Sequence, residues 1–396
     1  GNVVSADSST VVTVAASGGT GTLSGTTTAT ASSGQATFSG LAYDKAETIT
    51  LTYSKTGLTS GAQSLTVAGG AATKLGLSTL ADGATGGSPF ATQPVVAVQD
   101  AGGNTVASDT SVVTVAASGS GVLSGVTSKT ATSGVATFAG LSYNLAATVT
   151  LTFTASSRTQ ATQFLTVTVG PAAKLSVSTQ AASATAGAVF ASQPAVKVLD
   201  AGGNTVTSDS STIVTVSATG SGSLSGSTVA TASSGVAAFA GLSYDKGETI
   251  TLTFAKSGLV SATQSLTVAV GAASQLTVAT AANGATGGVT FVTQPIISLK
   301  DAGGNVVSTD SSTVVTVAAS GGTGTLSGTT TATASSGQAT FSGLAYDKAE
   351  TITLTYSKTG LTSGAQSLTV AGGAATKLGL STLADGATGG SPFATQ

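Results

Sequence analysis

The feature that most constrains this chain is a repeat of about one hundred residues. Four phenylalanines in the same local context, Phe90, Phe190, Phe291 and Phe393, lie 100, 101 and 102 residues apart. Repeats of 20 to 50 residues build solenoids and propellers. A unit of about a hundred residues is instead long enough to enclose a core of its own. The chain is therefore predicted to be an array of separate domains.

The second copy of the repeat shows what each unit contains. In its segment TVTLTF, Val149, Leu151 and Phe153 fall on one face and the threonines on the other, the alternation of a half-buried strand. Phe138, Tyr143 and Phe153 recur in the next copy and are interpreted as core rather than ligand-stacking residues. We predict an all-β unit without helices, with seven strands at residues 74–79, 94–100, 112–117, 122–129, 134–139, 148–155 and 163–169.

Composition then excludes several classes of function. Cysteine and histidine are absent, which removes disulfides, thiol chemistry and imidazole ligands or bases, and there is no set of residues for nucleophilic catalysis. The net charge is −2 and the 13 Lys and Arg are scattered, so neither a nucleic-acid partner nor a membrane partner is expected within this segment. We expect no enzyme activity, no cofactor and no metal.

Short Gly- and Ala-rich linkers divide the chain. They predict a partial domain over residues 1–69 that lacks its first strands, complete domains over 70–170, 171–271 and 272–372, and the first strand of a further domain over 373–396. These ranges are called the first to the fourth unit below, with 373–396 as the fragment that follows. Linkers with so few residues predict an extended, fairly stiff rod.

Several motifs recur from unit to unit, and in the second they read TQPVVAVQDAGGNTV (92–106), GVLSG (121–125) and SGVATFAGLSY (133–143). Together with the TxTLTF strand they resemble the bacterial immunoglobulin-like domains of large surface proteins and adhesins of the invasin and intimin kind. The resemblance covers essentially the whole chain. It implies tandem immunoglobulin-like β-sandwiches and an extracellular, cell-surface stalk or fibre, and it supplies no ligand.

One polar pattern could be a metal site. The turn Asp100-Ala101-Gly102-Gly103-Asn104 is followed by Asp109, and such oxygens could gather around Ca²⁺. Turn chemistry alone also explains Asp and Asn at these places. The same choice applies to the later copies, Asp200, Asn204 and Asp209, and Asp301, Asn305 and Asp310.

Two further patterns are weaker. The glycines of GSGSLSG, Gly220, Gly222 and Gly226, superficially resemble a phosphate loop, but the spacing is wrong and no helix follows, so a strand connection is expected. An intramolecular Lys–Asn or Lys–Asp crosslink would need a lysine and a catalytic carboxylate in every unit. The lysine position reads Lys74, Lys174, Gln275 and Lys377, and the carboxylate position reads Glu47, Ala147, Glu248 and Glu350, so the reaction cannot be general.

Repetition without reactive residues favours a structural filament or stalk. The alternative is an adhesin that binds a receptor, a glycan or a neighbouring cell, and the second unit would be its contact unit. There Arg158 replaces a leucine (Leu58, Leu259, Leu361) and Phe164 replaces a serine (Ser64, Ser265, Ser367). Phe164 should point outward because Leu165 and Val167 point inward, and a neutral substitution is the other explanation. The low charge also predicts self-association into fibres or bundles, or O-linked glycan on Ser and Thr.

A longer period is superimposed on the domains. Residues 1–93 and 304–396 are identical except that Ala6 corresponds to Thr309, which indicates a duplicated cassette of three domains. Two arrangements follow. Either the chain is a window on a longer periodic polymer, or the C-terminal strand of one subunit completes the first unit of the next, in head-to-tail continuation.

Overall fold

A computed structural model describes residues 1–375 and 378–379. All regular elements in these residues are β-strands, and they include no helix that is long and apolar enough to cross a membrane. The chain is an all-β tandem array of immunoglobulin-like sandwiches. The strand predicted within 373–396 lies almost wholly outside the described residues.

The first two units supply the first fifteen strands. In the first unit they are β1 (Val11–Ser17), β2 (Leu23–Ser24), β3 (Thr28–Thr30), β4 (Ala42–Tyr43), β5 (Thr48–Ser54) and β6 (Gly61–Thr66). In the second unit they are β7 (Lys74–Thr79), β8 (Val95–Gln99), β9 (Val112–Ala117), β10 (Leu123–Ser124), β11 (Ser128–Thr130), β12 (Val135–Thr137), β13 (Ser142–Tyr143), β14 (Thr148–Thr154) and β15 (Ala161–Thr166).

The remaining strands repeat this order. The third unit has β16 (Lys174–Thr179), β17 (Ala184–Thr185), β18 (Ala195–Leu199), β19 (Ile213–Ala218), β20 (Leu224–Ser225), β21 (Val229–Thr231), β22 (Val236–Ala238), β23 (Ser243–Tyr244), β24 (Thr249–Ala255) and β25 (Ala262–Ala269). The fourth has β26 (Gln275–Thr280), β27 (Ile296–Lys300), β28 (Val314–Ser320), β29 (Leu326–Ser327), β30 (Thr331–Ser335), β31 (Gln338–Thr340), β32 (Ala345–Tyr346), β33 (Thr351–Ser357) and β34 (Gly364–Thr369).

The second unit illustrates the sandwich. One sheet has the strand order β12-β8-β7 and the other the order β11-β9-β14-β15, while β10 and β13 form a separate two-stranded ribbon. All the pairs within these sheets are antiparallel. Val149 lies opposite Leu165, so apolar residues of the two strands share the inner face and the threonines share the outer one.

The aromatic residues of the repeat form the core. Phe138, Tyr143 and Phe153 are all buried, and the rings of Phe138 and Phe153 pack with their centroids 5.6 Å apart. The core interpretation is therefore confirmed for this unit. Val149 and Leu151 complete the buried face of β14, as the alternation predicts.

One predicted strand is divided. Residues 122–129 form β10 and β11 rather than a single strand, because the chain turns at Gly125, whose φ is 99°. A Cβ at this position would lie 2.2 Å from the carbonyl oxygen of Gly140. On either side of the turn the chain pairs with different partners, β10 with β13 and β11 with β9.

The first unit has only part of this architecture. Its strands form one sheet in the order β3-β1-β5-β6 and the ribbon β2-β4, with no counterpart of the sheet β12-β8-β7 among the described residues. The inner face of its sheet is left open, and a cleft of about 280 Å³ lies over residues such as Ile49, Leu51 and Leu65.

Candidate functional site

The Asp-Ala-Gly-Gly-Asn turn lies where two successive units meet. In the third unit the carboxylate of Asp200 is fully buried. It accepts hydrogen bonds from the backbone N–H of Asn204 (2.8 Å), the side-chain amide of Asn204 (2.9 Å) and the backbone N–H of Gly170 in the linker (2.9 Å). One carboxylate thus ties the turn to the linker that precedes its own unit.

Electrostatics favour the ionised form of this carboxyl. Burial opposes ionisation, but the hydrogen bonds from Gly170 and Asn204 outweigh it, so the pKa of Asp200 lies below its ordinary value. The pKa of Asp100 is lowered in the same way, with burial opposed by hydrogen bonds from Asn104 and Gly70. A buried carboxylate surrounded by N–H donors is stable as an anion without a metal ion.

The asparagine of the turn bridges two units. The side-chain amide of Asn204 donates to the carbonyl oxygen of Asn144 in the second unit (2.8 Å), and its Oδ1 accepts from the backbone N–H of Ala146 (2.9 Å). An amide is suited to this role because it carries both donors and an acceptor. We call the turn, together with the loop that it contacts in the preceding unit, the interdomain clamp.

The two glycines of the turn serve different purposes. Gly203 has a φ of 98°, a conformation that other residues rarely adopt. Gly202 is required by proximity, since its N–H donates to the carbonyl oxygen of Gly86 (3.0 Å). A Cβ on Gly202 would lie 2.1 Å from the carbonyl oxygen of Asn144, so the two units can approach this closely only with glycine there.

The clamp recurs at three junctions. Asn104 donates to the carbonyl oxygen of Asp44 (3.0 Å) and accepts from the N–H of Ala46 (3.0 Å). Asn305 donates to the carbonyl oxygen of Asp245 (2.7 Å) and accepts from the N–H of Gly247 at 3.4 Å. The same geometry therefore joins the first unit to the second, the second to the third and the third to the fourth.

The residue at the lysine position of the repeat supports the clamp turn. Lys74 Nζ donates to the carbonyl oxygen of Ala101 (3.1 Å), and Lys174 does the same to Ala201 (3.0 Å). Gln275 donates instead to the carbonyl oxygen of Asp301 (3.0 Å). Lys377 lies outside the described residues. These contacts explain why glutamine can replace lysine, which a crosslinking reaction would not allow.

The residues considered for calcium are divided between two tasks. Asp100 and Asn104 bond to each other within the clamp, whereas Asp109 accepts from the backbone N–H of Ser111 (2.7 Å). Asp209 and Asp310 cap the following residues in the same manner. The described residues contain no group of three acidic side chains that could hold a metal ion. The turn interpretation accounts for every one of these contacts.

The glycine loop holds a carboxylate from its own unit. Glu248 Oε1 accepts from the hydroxyl of Tyr244 (2.8 Å) and from the backbone N–H groups of Ser221 (2.8 Å) and Gly222 (3.1 Å). This contact was not predicted from the sequence, although Tyr and Glu recur four residues apart in the first, third and fourth units. Ala147 replaces the glutamate in the second unit.

The two exceptional residues of the second unit differ from each other. Phe164 is 81% exposed, whereas Leu165 and Val167 are buried, so its predicted orientation is confirmed. Arg158 is not an exposed contact residue, because its guanidinium forms an ion pair with Asp109 at 2.8 Å and its side chain is 20% exposed. Hydrogen bonds from Ser111 and then Arg158 lower the pKa of Asp109.

Comparison with known proteins yields structural likeness only. No protein-family model matches the chain, and no curated protein has significant sequence similarity to it. Solved structures that align with it include the Escherichia coli adhesin FdeC (17% identity, 77% of this chain and 99% of that chain, TM-score 0.25) and the integrin-binding bacterial protein invasin (11%, 91% and 72%, TM-score 0.25). A β-glycosidase from Bacteroides vulgatus aligns at 13% identity and a TM-score of 0.23 with half of this chain, which spans only a quarter of the enzyme's length.

Proposed function

We propose that this chain is a load-bearing stalk segment of an extracellular surface protein, in which clamped immunoglobulin-like units give reach and stiffness. The observation that carries the proposal is the clamp, repeated at three junctions with one amide and one buried carboxylate each. A linker hydrogen-bonded to a buried group is not free to act as a hinge. Successive units then resist bending relative to one another.

Composition supports the same role. Hydroxyl-bearing residues cover the outer faces of the sheets, and only 7% of the chain is charged, so the rod carries little electrostatic self-repulsion. The absence of Cys and Met removes the usual targets of oxidation outside the cell. We infer that this weakly charged surface either packs against other rods in bundles or carries O-linked glycan on its exposed Ser and Thr.

The stiffness test uses two spin labels, one in the second unit and one in the fourth. The unmodified chain should give a single narrow distance distribution, and Asn204→Ala and Asn305→Ala combined should broaden it. Asn104→Ala is the matched control, since Asn104 clamps the first unit to the second, outside the labelled span. A broad distribution in the unmodified chain would refute the proposal.

Location needs a separate measurement. An antibody raised against the second unit should label intact cells of the source organism, and shaving the cells with protease should remove the signal. Labelling only after permeabilisation would contradict an extracellular stalk, whatever the stiffness of the array.

A further inference from the structure

The second unit has a surface cleft at the edge of its four-stranded sheet. Its wall on one side is β15, which contributes Phe164 and Thr166, and the other side is formed by Leu80, Asp82 and Thr92. The cleft measures about 540 Å³, within the range of small-molecule sites. We call it the Phe164 cleft.

The walls of this cleft are held in place by hydrogen bonds. The side-chain amide of Gln163 donates to the carbonyl oxygen of Ala81 (2.6 Å) and accepts from its N–H (2.9 Å). Asp82 and Thr92 exchange two backbone hydrogen bonds of 3.0 and 3.1 Å. The spacing between Phe164 and the opposite wall is thus fixed before any ligand arrives, which lowers the entropic cost of binding.

The groups presented to solvent combine one aromatic face with several hydrogen-bonding groups. Phe164 is 81% exposed and is the one aromatic side chain among the described residues that is largely exposed. Asp82 is exposed, and one of its oxygens accepts from the N–H of Gly83 (2.7 Å). Thr92 and Thr166 add exposed hydroxyls.

We propose that the Phe164 cleft binds a neutral sugar, with the apolar face of one pyranose ring against Phe164 and its hydroxyls bonded to Asp82 and the threonines. Such a ring offers an apolar face of C–H groups for an aromatic side chain and a rim of donors and acceptors for the polar groups. This adds a binding function to the stalk and does not depend on the stiffness of the array.

The surroundings favour a sugar over a protein partner. Leu80, 57% exposed, is the only other large apolar side chain exposed in the cleft. Two such side chains expose far less apolar surface than the contiguous patch that marks a protein interface. Threonine hydroxyls and a carboxylate fill the rest of the wall, and these are groups that hydrogen-bond sugar hydroxyls.

Other units provide internal controls. The third unit has Ser265, Gln180 and Ala182 at the positions of Phe164, Leu80 and Asp82, so it lacks both the aromatic face and the carboxylate. The fourth unit has Ser367 and Asn283. The aromatic side chain is therefore specific to the second unit within this chain.

The test titrates the intact chain with cellobiose, lactose and N,N′-diacetylchitobiose while the ring signals of Phe164 are followed by NMR. At least one sugar should bind with a Kd of about 1 mM, the affinity expected of one stacked ring and a few hydrogen bonds. Phe164→Ser should weaken binding by about tenfold or more, and Phe164→Tyr should retain it. Asp82→Asn should weaken it less, by about fivefold.

Two controls make the result decisive. Phe164→Ser should leave thermal unfolding unchanged, because the side chain is exposed and serine occupies this position in the other units. Ser265→Phe in the third unit should create at most a weaker second site, because Ala182 supplies no carboxylate. Absence of binding by all three sugars, or binding that survives Phe164→Ser, would overturn the proposal. Loss of self-association in Phe164→Ser without any sugar binding would assign the cleft to a second copy of the chain and overturn it as well.

Discussion

The first and fourth units have the same sequence over residues 1–69 and 304–372, apart from Ala6 and Thr309, but they differ in structure. Leu368 is 6% exposed in the fourth unit, and its counterpart Leu65 is 38% exposed in the first. Val307 is 7% exposed, and its counterpart Val4 is 68% exposed. The difference arises from β26 and β27, which cover the fourth core and have no described counterpart in the first unit.

Even secondary structure depends on these two strands. Residues 338–340 form β31 because they pair with β27, where Ala339 lies opposite Ile297. Residues 35–37 have the same sequence, but they are not in a strand. The propensity of this sequence therefore allows a strand but does not determine it, and the partner across the sheet decides whether the strand forms.

The largest effect is expected from supplying the first unit with these strands. Residues 272–303, joined ahead of Gly1, should pair with the first unit as they do with the fourth. Completing the burial of Phe38 and Leu65, which are already partly buried, is worth about 1 to 2 kcal/mol before the rest of the open face and the ordering of the added strands are counted. The first unit should become as resistant to unfolding as the fourth.

Hydrogen exchange measures this directly, because residues 48–53 and 351–356 give peptides of identical mass. The unmodified chain should show two deuterium populations in this peptide, and the extended chain should show one. The same extension with Ile297→Asp provides the control and should keep two populations. A single population in the unmodified chain would mean that the open sheet is already as stable as the closed one.

How much of this the sequence predicted depends on whether the signal was local. The alternation of β14 and the buried aromatics followed from the pattern of Val149, Leu151 and Phe153 alone. The clamp did not follow, because Asn204 bonds to Asn144 and Ala146, about sixty residues away in another unit. Its Asp and Asn could be assigned only to turn chemistry or calcium. The contact between Glu248 and the glycine loop is likewise formed between segments that are distant in sequence.

The next largest effect is a loss of stability when Gln366 is replaced. We call its side-chain contact with the backbone of Ala282 the glutamine latch. Gln366 donates to the carbonyl oxygen of Ala282 (2.6 Å) and accepts from its N–H (2.9 Å), which joins β34 to the segment that follows β26. Gln63 is its counterpart in the first unit, where the described residues include no strand to contact. Gln366→Ala should destabilise the fourth unit by about 2 kcal/mol because two backbone groups lose their partner. Gln63→Ala should have almost no effect.

The substitutions change the mass of the peptides that contain residues 63 and 366, so hydrogen exchange then reports each unit separately. Equal losses of protection from Gln63→Ala and Gln366→Ala would contradict the latch. They would imply that the glutamine acts within its own strand.

A smaller effect, a gain of stability, is expected when Tyr356 is replaced by phenylalanine. The hydroxyl of Tyr356 is buried without a hydrogen-bond partner, and the equivalent residues of the second and third units are Phe153 and Phe254. Tyr356→Phe should stabilise the fourth unit by about 1 kcal/mol, since an unsatisfied buried hydroxyl is removed. Tyr53→Phe should change little, because the open core leaves Tyr53 half-buried. A loss of stability in Tyr356→Phe, measured by urea denaturation, would show that the hydroxyl has a partner.

The smallest effect is a pH-dependent contribution to stability. It should be the same in the first and fourth units, because it depends on a contact that does not involve β26 or β27. Glu47 Oε1 accepts from Tyr43 (2.7 Å) and Gly21 (2.8 Å), and Glu350 accepts from Tyr346 and Gly324 (both 2.7 Å). These hydrogen bonds, the tyrosine's first, lower the pKa of both carboxyls.

Since the folded pKa lies below the unfolded value of about 4.3, each glutamate stabilises its unit above that pH and ceases to do so as the pH falls through the folded pKa. NMR titration should give Glu47 and Glu350 coincident pKa values below that of a free glutamate. Glu47→Gln and Glu350→Gln should each reduce the acid sensitivity of their own unit to the same extent. Ala147→Glu should introduce the same acid-sensitive contact in the second unit. A normal pKa for Glu47 beside a lowered one for Glu350 would show that the loop needs the closed sandwich, and the open unit would then be disordered beyond its exposed core.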